Sequence, residues 1–120
     1  MNKTHIILSA LMGMSAVALG AFGAHGLKSF LSPELLETYR TGILYHLIHS
    51  VVLLVLSLIN SYDFKVSFYF ILIGIILFSF SLYTYAISSN KIFVMFTLIG
   101  GICLMIGWLL IAITVIRKKK

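Results

Sequence analysis

Four long apolar stretches, parted by short polar joints, organise this chain. They cover about residues 5–24, 41–59, 66–88 and 92–116, and none contains a charged residue. A helix rises about 1.5 Å per residue, so about 20 apolar residues cross the roughly 30 Å of hydrocarbon in a bilayer. Each stretch is long enough. Helices are the expected form, because unpaired backbone groups in lipid are costly, and no ten-residue alternation suggests a barrel. The joints at 60–65 (NSYDFK) and 88–91 (SSNK) are too short for anything but antiparallel neighbours. The pattern therefore predicts an all-α membrane protein, a single four-helix transmembrane domain over residues 1–120 with up-down-up-down order.

The first connection is longer and has its own pattern. Ser32 suits an N-cap, Pro33 the first helical position and Glu34 the positive end of a helix. Leu35, Leu36 and Tyr39 give the following residues an apolar side. A short interfacial helix over 33–40 is expected, able to run on into the second span. Before it, Gly20, Gly23 and Gly26 stand three apart in GAFGAHGL. Gly20 and Gly23 permit close packing, and Gly26 is placed to end the first helix.

Composition removes the soluble alternative. With 61% hydrophobic and 10% charged residues, the chain cannot coat a core with a polar surface. The mean hydropathy of +1.12 says the same. The apolar run from Ile6 to Phe22 exceeds a typical signal-peptide core, so it is read as a retained first helix.

Charge then suggests an orientation. Lys3, Lys65, Arg117, Lys118, Lys119 and Lys120 fall on the side of the termini, against Lys28, Arg40 and Lys91 on the other. The positive-inside rule puts both termini in the cytoplasm. Beside a span, the basic tail reads as a topology signal that touches lipid headgroups, not as a nucleic-acid site.

Few residues carry candidate chemistry. The first span is rich in small side chains, with Ala16, Gly20 and Ala24 four apart and Ser9 and Gly13 forming a second pair. Such faces let backbones approach closely, within the bundle or between copies in a homo-oligomer. In the second span His46 and His49 lie three apart and Tyr45 precedes His49 by four, so they share a helix face. His25 would sit at the same outer edge. His25, Tyr45, His49, Ser79 and Ser81 are the expected polar cluster, where the first three spans would meet. Tyr83 and Tyr85 fit an aromatic belt, and His5 reads as merely interfacial. Gly100, Gly101 and Gly107 invite a close crossing of the fourth helix, where Trp108 should pack with its indole N–H bonded to a partner.

Three histidines, His25, His46 and His49, are the only metal candidates, and no carboxylate within the spans supports them. No cofactor is therefore expected. Cys103 reads as a packing residue. No nucleophile–base–acid set, HExxH motif or phosphate loop is present, so the chain is not read as an enzyme.

Several blocks resemble a known family. ALGAFGAHGL, YRTGILYHLIH (through Thr41, Gly42, Tyr45 and His49), LFSFSLY and TLIGGICLMIGW are similar to blocks of the YgdD/YwdK-type small inner-membrane proteins of unknown function. The resemblance covers nearly the whole chain. It implies a four-helix fold in a bacterial plasma membrane and implies no reaction. His46 stands where that pattern usually has glutamine, and Leu98 where it usually has proline. Three roles stay open from the sequence. The leading one is a non-catalytic accessory or membrane-organising protein. The others are a transporter or channel component with the polar cluster on its path, and a metal- or haem-binding protein.

Overall fold

Each apolar stretch becomes one helix. In the computed structural model, which describes residues 3–118, α1 spans Lys3–Phe22, α2 Pro33–Leu58, α3 Lys65–Ser88 and α4 Ile92–Lys118. All four are long and apolar enough to cross a membrane. Lys119 and Lys120 of the basic tail lie outside the described residues.

The ends of α1 and α2 differ from expectation in two ways. Gly26 does not stop α1 through a left-handed conformation, since no described glycine has positive φ. Instead α1 widens into a π-helical turn over Gly23–Leu27. The turn closes when the Leu27 carbonyl accepts the N–H groups of both Phe30 and Leu31 at 3.0 Å. The 33–40 stretch is not a separate interfacial helix; it runs on into the second span, the continuation the sequence allows, and forms the first turns of α2. Nothing breaks it: Ser32 caps the Leu35 N–H at 3.2 Å, Pro33 starts the helix, and the Thr38 and Thr41 hydroxyls bond back to the Glu34 and Glu37 carbonyls. Its apolar side is covered by α1 and α3. Tyr39 is buried and donates its hydroxyl to the Leu19 carbonyl of α1 at 2.6 Å.

The helices pack in chain order, α1 on α2, α2 on α3 and α3 on α4. Among the described residues, no Cα of α1 comes within 8 Å of one in α4. The central pair therefore holds the core: 39% and 44% of the apolar windows of α2 and α3 are buried, against 17% for α1 and for α4. One apolar cluster (Leu53, Phe68, Ile71, Ile75 and Leu104 among its members) fills the half nearer the termini. A second (Leu27, Leu36, Tyr39, Tyr83 and Ala86) fills the half nearer the π turn.

Glycine sets how closely α3 and α4 approach. A Cβ on Gly100 would stand 2.3 Å from the Phe78 backbone nitrogen, one on Gly107 2.4 Å from Ile71, and one on Gly74 2.7 Å from Leu104. Gly100 and Gly107 thus fill the packing role expected of them, whereas Gly101 meets only the Phe78 ring at 3.6 Å. Ala16 is buried in α1. Gly20 faces Ile43, and Gly23 lies so close under the Tyr39 ring that a Cβ would come within 2.2 Å of it.

Candidate functional site

His46 sits in α2, fully buried, and joins three helices. Its Nε2 lies 3.1 Å from Ser15 Oγ of α1, and its Nδ1 lies 2.9 Å from the Tyr83 hydroxyl of α3. The proton order follows from Ser15. That hydroxyl already donates to the Met12 carbonyl at 2.9 Å, so it accepts from His46 Nε2–H. Nδ1 is then an acceptor, and the Tyr83 hydroxyl donates to it. The run reads one way, from Tyr83 through His46 and Ser15 to Met12. Tyr83 has room because Gly42 lies beneath it, where a Cβ would come within 2.6 Å of the ring. Ser79 donates to the Gly42 carbonyl at 2.8 Å and pins the same crossing.

His49 looks the other way, toward α4. Its Nδ1–H donates to the Tyr45 carbonyl at 2.8 Å, which leaves Nε2 to accept the Trp108 indole N–H at 2.9 Å. The Tyr45 ring stacks on His49, with ring centres 5.9 Å apart and planes 9° apart. Tyr45, His49 and Trp108 line an apolar groove of about 550 Å³ between α2 and α4, which Phe78, Gly101 and Met105 help to form. Trp108 is the single tryptophan, so its emission reports this contact. His49→Leu is expected to change the position and intensity of the Trp108 emission and to cost about 1–2 kcal/mol in detergent. An unchanged emission spectrum would contradict the bond.

The expected cluster is thus divided. Tyr45 and His49 stay together and gain Trp108, which the sequence placed only as a packing residue with an unnamed partner. Ser79 belongs to the α2–α3 crossing instead. Ser81 bonds the Thr97 hydroxyl of α4 and its own helix at the Phe78 carbonyl. His25 is exposed on the π turn and does not meet His49. Of the glycines around it, Gly23 admits the Tyr39 ring, while Gly20 faces Ile43 and Gly26 faces Phe22.

Two other residues depart from expectation. Tyr83 is buried, so it is not part of an aromatic belt. His5 is buried rather than interfacial, stacked on Phe68 at 4.1 Å with Nε2 3.2 Å from the Tyr69 hydroxyl. A signal for this existed: His5, Phe68 and Tyr69 all lie near the starts of spans that begin on the same side.

The histidines also diverge as ligands. His46 and His49 each engage both ring nitrogens with neighbouring groups, and His25 is remote from them. Among the described residues, no group of three or more His, Cys, Asp or Glu side chains is placed to hold a metal ion. What the arrangement does chemically is to close polar groups against one another in the apolar interior, where leaving them unpaired is costly.

Comparison with known proteins points to one family. A family described as "Protein of unknown function (DUF423)" matches residues 19–101, which include the π turn, both buried α2 histidines, Tyr83 and Gly100. The chain is 38% identical to a "UPF0382 membrane protein" of Haemophilus influenzae, over 99% of this chain and 98% of the relative. It is 34% identical to the "UPF0382 inner membrane protein YgdD" of Escherichia coli, over 99% and 94% of the two chains. It is 32% identical to the "UPF0382 membrane protein YwdK" of Bacillus subtilis, over 96% and 98%. No solved structure gives a significant match.

Proposed function

This chain belongs to the UPF0382 (DUF423) membrane-protein family, and we propose that it is a non-catalytic accessory or membrane-organising protein of the bacterial inner membrane. The observation that carries this reading is the closure of both α2 histidines. Each ring nitrogen of His46 and His49 is matched to a group on this chain, so neither offers a free base or an open ligand position. Polar residues here join helices. Action is then left to the outer faces.

Those faces belong mainly to α1 and α4, which the fold leaves largely uncovered. Met95, Leu98, Met105 and Leu109 stand exposed along α4, and Leu11, Met14 and Val17 along α1. Membrane lipids cover such surfaces, and a second copy of the chain fits the same apolar chemistry. The inner-membrane assignment draws on the E. coli relative's description. Both termini are placed in the cytoplasm on the positive-inside argument, with Lys3, Lys65, Arg117 and Lys118 on that side.

The test is metal analysis and a visible spectrum of protein purified in mild detergent, beside a His25→Ala, His49→Ala double variant. The expected result is no stoichiometric metal and no chromophore in either protein, with helical content retained. A stoichiometric signal in the wild type that the variant loses would overturn this reading and make the histidines a cofactor site.

A further inference from the structure

The end of the molecule that carries both termini holds a cleft separate from both α2 histidine networks. It has a volume of about 580 Å³ and lies between the start of α1, the end of α2, the 59–64 loop and the start of α3. Lys3 and Lys65 face it from two different helices, and Asn60 and Ser61 add polar groups from the loop. Beneath them the lining turns apolar, with buried Phe64 and Phe68. His5 completes this floor, held by its stack on Phe68 and its bond to Tyr69.

The charge balance in the cleft is positive. Asp63 is the one carboxylate in the lining, and its Oδ1 accepts the Lys65 backbone N–H at 3.1 Å. Two lysine side chains therefore face one carboxylate that is already engaged. A third cation stands behind the wall: Lys118 bonds the Ser61 carbonyl and lies 4.9 Å from the centre of the Tyr62 ring, which fixes the loop.

We propose that this cleft binds a phosphate anion, and that the phosphate is the headgroup of an anionic membrane lipid. The two-part lining is the reason for choosing a lipid. A cationic rim over an apolar floor matches a phosphodiester joined to acyl chains, and basic pockets between transmembrane helices suit such headgroups. The cleft also lies where the four spans end on that side, which is the depth of headgroup phosphates. The inference is independent of the accessory role, which concerns the α2 histidines, and either can fail alone.

Native mass spectrometry of the full chain in mild detergent tests it, with phosphatidylglycerol, phosphatidylcholine and inorganic phosphate as separate probes. Wild type is expected to retain one phosphatidylglycerol saturably and not to retain phosphatidylcholine. Lys3→Gln with Lys65→Gln should weaken retention by roughly tenfold or more. Both side chains are exposed, so helical content should not change. Lys119→Gln with Lys120→Gln should leave retention intact. Unchanged binding in the first variant overturns the proposal. An equal loss in the tail variant also overturns it, because general surface charge would then explain the effect. Retention of inorganic phosphate without phosphatidylglycerol supports the anion site and overturns its lipid assignment.

Discussion

Gly100→Ala is expected to destabilise the protein by about 3 kcal/mol or more, a large effect for one methyl group. The new Cβ would stand 2.3 Å from the Phe78 backbone nitrogen and 2.8 Å from both Leu77 C and Phe78 Cα. These are main-chain atoms in the middle of α3, so no side chain can rotate out of the way. The helices must separate, and the neighbouring contacts of Gly107 with Ile71 and Gly74 with Leu104 open with them. Lipid offers little compensation, because helix association in a bilayer rests on close packing. Gly101→Ala is the internal control. Its Cβ would meet the Phe78 ring at 3.6 Å, an ordinary contact, and alanine favours a helix over glycine. Its effect should stay within about 0.5 kcal/mol. Equilibrium unfolding of both variants in mixed micelles decides the matter. Equal losses at the two adjacent positions would mean that the α3–α4 seam is misassigned.

The four helices were legible because the bilayer sets their length, and uncharged runs of that length are easy to see. Neighbour order was legible too, since short joints at 60–65 and 88–91 leave no choice. The inward face of each helix was not. Every face of a lipid-embedded helix is apolar, so no amphipathic stripe marks the core. The histidines show the consequence. His46 and His49 sit three residues apart and read as one face, yet three residues leave a turn short by about 60°. That offset is enough to send His46 to α1 and α3 and His49 to α4. Trp108 plainly needs an acceptor, but only the reach of its indole across the groove between α4 and α2 supplies His49 as that acceptor. The run GAFGAHGL makes His25 conspicuous in the sequence. Its structural work is to admit the Tyr39 ring over Gly23. The start of α2 looks interfacial in the sequence for a related reason. A helix with a polar side and an apolar side looks interfacial until a neighbour covers it, and here Tyr39 reaches Leu19.

His46→Ala is expected to cost about 2–4 kcal/mol, while His46→Gln should cost less than about 1.5 kcal/mol. Alanine removes a fully buried ring and leaves the Tyr83 hydroxyl without an acceptor on α2. It also frees the Ser15 oxygen from its second partner and leaves a void where α1, α2 and α3 meet. Glutamine can restore both bonds. Its amide oxygen accepts from Tyr83, and its amide N–H donates to Ser15, whose own proton stays on the Met12 carbonyl. A double-mutant cycle with Tyr83→Phe sharpens the result. Tyr83→Phe alone should cost about 1 kcal/mol, and in the His46→Ala background it should cost nearly nothing, because the hydroxyl has already lost its acceptor. Additive losses would show that Tyr83 and His46 do not depend on one another. A glutamine variant as weak as the alanine one would mean that ring volume, and not the bridge from α1 to α3, is what the fold requires.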